Sequence, residues 1–195
     1  SNRKDMQLPK EAGDRELMCL VRDRADMRAF EDLVERWEGR LGTLLLRLTG
    51  NIQCACDLRQ EVFFRVWRSA KTYNDAFAFS TWVTRIAVNL ARSNAAKESR
   101  GNGNTGNHAP VDWVDGAATL EAVEQAESLR AILERLPVAE KELLLLRFQM
   151  ELSYPEIAET LGIPETTAKS RMTILLRKLR NTLSQAGFQR SDLTL

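Results

Sequence analysis

Much of what catalytic and secreted proteins rely on is scarce in this sequence. Its 195 residues hold one histidine, His108, and three cysteines, Cys19, Cys54 and Cys56. An odd cysteine count without regular spacing supports no disulfide framework and fits a reducing compartment. Cys54-Ala55-Cys56 could form half of a metal site. His108 lies in a Gly/Asn-rich stretch, however, so a closed four-ligand site would need distant carboxylates, and half-buried thiols are the plainer reading. No apolar run reaches about 18 residues, so no transmembrane helix is expected. Ser1-Asn2-Arg3-Lys4 leads into no apolar core of a secretion signal. The net charge is only +1, which excludes a globally basic protein and leaves local charge patterning as the source of any nucleic-acid site. There is no Gly-rich phosphate loop, nucleophile motif or convincing metal set. An enzyme is therefore not expected, and no catalytic residue, metal or cofactor is assigned.

Sustained strand alternation is also lacking, and helical spacing takes its place. Leu17, Leu20 and Val21, then Phe30, Leu33, Val34, Trp37, Leu41, Leu44, Leu45 and Leu48, recur at steps of three and four until Gly50-Asn51 stops them. Leu58, Val62, Phe63, Val66 and Trp67 form a second face. Trp82, Val83, Ile86, Ala87 and Leu90 form a third, with Ser80-Thr81 as plausible caps. The composition changes at Ser99, where "SRGNGNTGNHAPVDWVDG" is rich in Gly and Asn and has no helical period. Long structureless loops are uncommon within compact domains, so this stretch reads as a linker, with Trp113 docking on a lobe or a partner. Beyond it, Leu120 to Leu136 reads as a helix ended by Pro137, and Val138 to Met150 as another. The chain is predicted to be all-α: a helical domain over 1–98, a linker over 99–119 and a second helical domain over 120–195.

Within the second domain, "LSYPEIAETLGIPETTAKSRMTILLRKL" breaks a helix and restarts it. Ser153-x-x-Glu156 is a capping box with Pro155 tolerated in the first turn. Gly162 can take the positive φ of a sharp turn, and Pro164 fixes the entry to the next helix. This is a helix-turn-helix pattern. In its second helix Ala168, Met172, Leu175 and Leu179 share one face. Thr166, Ser170, Thr173, Ile174 and Arg177 lie opposite, with Lys169, Arg171 and Lys178 on the flanks. Hydroxyls and cations on an outer face suit base edges and phosphates in a major groove. An amphipathic hairpin with a solvated basic face gives the same pattern.

The order of segments is more specific than the hairpin. "AFEDLVERWEGRLGTLLLRLTGN", "DLRQEVFFRVWRSAKTYN", "FSTWVTRIAVNLARSNAAK", a linker, and "LPVAEKELLLLRFQMELSYPEIAETLGIPETTAKSR" together resemble the sigma-70 family. Within it they resemble the small extracytoplasmic-function subclass, over about Arg28 to Arg180. The resemblance implies a sigma factor that binds core RNA polymerase, recognises the minus-10 element through region 2 and the minus-35 element through region 4, and helps to open promoter DNA. It assigns Asp57, Gln60 and Glu61 to the polymerase clamp, although a solvated polar face has the same spacing. It assigns the loop and helix with Tyr73, Phe77, Phe79, Trp82 and Asn89 to a flipped minus-10 base, and Arg85, Arg92 and Lys97 to phosphates. Aromatics can stack on bases or fill a core. Phe79 and Trp82 are expected to be mostly packed, with Tyr73 and Phe77 open to either role. The minus-35 set is Thr166, Lys169, Ser170, Arg171, Thr173 and Arg177.

Two departures stand out. Met172-Thr173-Ile174-Leu175-Leu176 is mostly apolar where family recognition helices carry more cations, which leaves Ile174 for a thymine methyl or a protein partner. Cys54-Ala55-Cys56 replaces the usual acidic residues. The resemblance further implies a bacterial cytoplasmic protein held inactive by an anti-sigma partner, often membrane-anchored. A helix-turn-helix regulator with a helical sensory lobe is the competing reading, but it needs neither "DLRQEVFFRVW" nor "FSTW".

Overall fold

The computed structural model describes residues 12–100 and 131–186, and no strand occurs among them. His108, Trp113, the linker beyond Arg100 and the expected start of a helix at Leu120 lie outside the described residues. Contacts divide the chain into two compact units, Ser1–Gly106 and Asn107–Leu195.

In the first unit α1 spans Asp14–Arg24, α2 Met27–Thr49, α3 Ile52–Arg68 and α4 Phe79–Arg100, with a 3-10 turn at Ala70–Thr72. The helix ends follow local chemistry. Asp26 caps α2 by accepting the N–H groups of Arg28 and Ala29 at 3.0 and 3.1 Å. Gly50 ends it at φ 67°, and the Asn51 side chain starts α3 by accepting the Cys54 N–H at 3.0 Å. α2 is central, packing on α1, α3 and α4. Leu33, Leu41, Leu44, Leu45, Val62, Val66, Val83 and Ala87 are wholly buried, as the apolar spacing predicts. α4 corrects two expectations. It starts at Phe79, so Ser80 and Thr81 lie in its first turn rather than capping it. It also continues through Arg100, past the composition change, because Ala95, Ala96, Lys97 and Glu98 are good helix formers. The Ser99 hydroxyl donates to the Ala95 carbonyl at 2.9 Å.

In the second unit residues 131–134 are helical. α5 spans Val138–Leu144, α6 Tyr154–Leu161 and α7 Glu165–Gln185. The helix expected to run to Met150 changes instead to a π turn over Leu145–Gln149. The wider turn closes with the Met150 N–H on the Leu145 carbonyl at 2.9 Å. Leu145, Leu146 and Met150 are all buried along it. The chain then passes through Glu151 at φ 57°. At the head of α6, Glu156 accepts both the Ser153 N–H at 2.8 Å and its hydroxyl at 2.6 Å. Gly162 ends α6 at φ 67°. No helix among the described residues is long and apolar enough to cross a membrane.

Candidate nucleic-acid interface

α7 separates its faces cleanly. Ala168, Met172, Leu175, Leu179 and Leu183 are buried. Thr166, Lys169, Ser170, Arg171, Thr173 and Arg177 are all exposed, and Ile174 is 63% exposed. The Ser170 hydroxyl donates back to the Thr167 carbonyl at 3.1 Å, and Thr173 to that of Lys169 at 2.9 Å. Their oxygen lone pairs remain outward, suited to accepting from an amino group on a base edge.

The cations on this helix are not equivalent. Lys169 Nζ pairs with Glu165 at 2.6 Å and lies 6.0 Å from the Tyr154 ring centre. Arg147 covers the same ring at 5.3 Å and donates to the Leu152 carbonyl at 3.0 Å. Lys178 pairs with Glu140 of α5 at 2.8 Å, which occupies that charge. Arg171 and Arg177 make no ion pair among the described residues, so their charge faces solvent.

In the first unit, α4 carries Arg85, Asn89 and Arg92 at steps of four and three, all exposed, with exposed Lys97 further along. The aromatic group before them divides. Phe79 is 2% exposed, packed as expected, and Tyr73, left open to either role, is 3% exposed; neither therefore suits the minus-10 set as a stacking ring, since a ring enclosed on both faces has none to offer an unpaired base. Phe79 packs on Trp37 at 5.6 Å, and Tyr73 on Trp82 at 5.2 Å. Trp82 is half-buried and Phe77 is 43% exposed. Burial holds the Tyr73 phenol above its ordinary range, so it stays a neutral hydroxyl donor. That hydroxyl donates to the Phe77 carbonyl at 2.9 Å, a contact that sequence spacing does not signal.

On α3, Asp57 and Gln60 are exposed. The half-buried Glu61 accepts from Arg65 Nε at 2.7 Å, one turn along the same helix. Phe64, one turn beyond Gln60 and 56% exposed, extends this face. Sequence reasoning missed it, and the only signal was the Phe63-Phe64 doublet, of which one ring had to point outward. Cys19, Cys54 and Cys56 are free thiols. Burial raises the Cys54 pKa, and its sulfur accepts from Asn94 at 3.3 Å. No group of three potential metal ligands occurs among the described residues.

Comparison with known proteins bears on both faces. The family described as Sigma-70 region 2 matches residues 33–101, and Sigma-70, region 4 matches residues 126–179. The ECF RNA polymerase sigma-E factor of Haemophilus influenzae is 32% identical over 158 residues, covering 75% of this chain and 83% of that protein. SigW of Bacillus subtilis, also an ECF RNA polymerase sigma factor, is 29% identical over 161 residues, covering 76% and 86%. Among solved structures, RpoE in complex with the anti-sigma factor NepR from Bartonella quintana has a TM-score of 0.66 at 18% identity, covering 80% of this chain and 98% of that one. CnrH in complex with the cytosolic domain of CnrY has a TM-score of 0.62 at 24% identity, covering 88% and 97%. These two likenesses concern the fold.

Proposed function

The chain belongs to the sigma-70 family, in its extracytoplasmic-function subclass, and from that premise we propose that it is an alternative sigma factor that directs core RNA polymerase to its own promoters. The carrying observation is the sidedness of α7, whose outer face is polar and cationic apart from Ile174 while its inner face is apolar. Thr166, Lys169, Ser170, Arg171, Thr173 and Arg177 would meet the minus-35 element, with Arg177 on phosphate. Phe77 and Asn89, with the open edge of Trp82, would receive an unpaired minus-10 base, while Arg85, Arg92 and Lys97 neutralise phosphates. Asp57, Gln60 and Glu61 would dock on core polymerase.

The role is non-catalytic and needs no cofactor. A cytoplasmic location follows from the task, since promoter DNA and polymerase are there. An anti-sigma partner is the expected regulator, by analogy with RpoE bound to NepR. Run-off transcription with bacterial core polymerase on a promoter library tests the whole reading. Transcripts dependent on this chain are expected. The absence of both transcription and core binding in pull-down would sink it.

A further inference from the structure

The loop between the 3-10 turn and α4 is exposed along most of its length, yet it is held in place from beneath. Its Tyr73 ring is buried against Phe79 and Trp82, and the hydroxyl reaches forward to the Phe77 carbonyl at 2.9 Å. The side chain thus closes a ring across the loop it belongs to. Inside that ring the Asn74 side chain accepts the Ala76 N–H at 3.0 Å, and the Asn74 carbonyl accepts the Phe77 N–H at 3.1 Å. From α1, Arg22 donates to the Tyr73 carbonyl at 3.3 Å and pairs with Asp75 at 3.5 Å, while the Cys19 thiol lies 3.8 Å from Asp75. Both ends of the loop are therefore fixed by groups facing away from its exposed rim. The aromatic side chain left on that rim is Phe77.

We propose that Tyr73 is a positioning residue for promoter opening: its hydroxyl holds the Phe77 carbonyl and so presents the Phe77 ring, with Arg22 anchoring the other end of the loop. Tyr73 itself touches no nucleotide. This rests on the proposal that the loop receives an unpaired base. The physical reason is preorganisation. Capture of a base by a loop that is already ordered does not have to order the loop at the same time.

Tyr73→Phe keeps the buried ring and removes only the hydroxyl. The test uses holoenzyme on a promoter that it selects from a random-sequence library, with Phe77→Ala beside it. Permanganate reactivity of the bubble reports the rate of opening, and filter binding at low temperature reports closed-complex affinity. Loss of one net hydrogen bond predicts opening slower by about three- to tenfold in Tyr73→Phe, with core binding and closed-complex affinity unchanged. Amide exchange should rise in residues 74–78 and not in α2. If Phe77→Ala slows opening and Tyr73→Phe matches the parent, the positioning role is overturned while the reading of the loop stands. If Phe77→Ala has no effect, both are overturned. If Tyr73→Phe weakens core binding as much as it slows opening, the hydroxyl supports the unit in general and the positioning role is overturned.

Discussion

The two units solve the same problem, a small helical core beside a candidate nucleic-acid surface, with different side chains. The first unit uses long helices and two aromatic groups, Phe30 with Phe63 and Trp67, and Trp37 with Tyr73, Phe79 and Trp82, whose rings meet in pairs 5.0 to 6.5 Å apart. The second uses shorter elements around an aliphatic core of Leu143, Leu145, Leu146, Met150, Ile157, Met172 and Leu175. No aromatic pair occurs there among the described residues. Its precision comes from helix ends: the Ser153–Glu156 box, Gly162 and the Glu140–Lys178 tie. In the second unit core and candidate contact residues are different residue types on opposite faces of one helix. In the first unit they are the same residue type within one short segment. Aromatic chemistry is therefore ambiguous there, and only packing decides which ring serves which purpose.

That contrast can be broken most directly within one segment of the first unit. Phe79→Ala removes a ring that is 2% exposed and should cost about 3–5 kcal/mol. Phe77→Ala, two residues earlier and on the rim, should stay within about 0.5 kcal/mol. Urea unfolding of both variants checks this, and equal losses would erase the division between core and rim aromatics.

The matching test in the second unit is its turn. Gly162 stands at φ 67°, and an added Cβ would meet nothing within 4 Å. The cost of Gly162→Ala is therefore backbone strain alone, about 1 kcal/mol. Thermal unfolding reads it. A neutral result would mean that the turn relaxes and that the helix ends are less exacting than argued.

The outer face of α7 should separate charge from shape with little effect on stability. Arg177→Ala should weaken DNA binding almost uniformly across sequences and lower the salt slope by about one, as for a phosphate contact. Ile174→Ala removes a methyl contact and no charge. It should change preference at one thymine-containing position and leave the salt slope alone. Binding to a minus-35 mutant panel at two salt concentrations distinguishes them. If Ile174→Ala leaves every DNA affinity intact but weakens an anti-sigma complex, that apolar spot belongs to the protein partner.

The smallest effects are expected at two residues that adopt left-handed backbone without being glycine, one in each unit. Ala25 has φ 52° and Glu151 φ 57°. Ala25→Gly and Glu151→Gly should each stabilise by about 0.5 kcal/mol, the relief of left-handed strain less the extra entropy of glycine. Differential scanning calorimetry checks both. A loss at Glu151 with a gain at Ala25 would show that the Glu151 side chain holds more than its backbone strain costs.

Apolar periodicity by itself determined that the chain is helical, which residues of α2 and α7 point inward, and where α6 stops. These properties depend on residues three or four apart and on a glycine free of Cβ clash, so they are written locally. The capping box was legible for the same reason. Tertiary structure alone decided the rest. Tyr73 is enclosed because α4 packs its Phe79 and Trp82 rings on it, while Phe77, whose carbonyl accepts the Tyr73 hydroxyl, lies outside. The helix after Val138 widens into a π turn, closed by the Met150 N–H on the Leu145 carbonyl, which the apolar spacing did not signal. Lys178 is held by Glu140, 38 residues away in sequence, while Arg177 beside it remains exposed. No short-range pattern encodes such contacts, because each depends on where a distant element comes to rest.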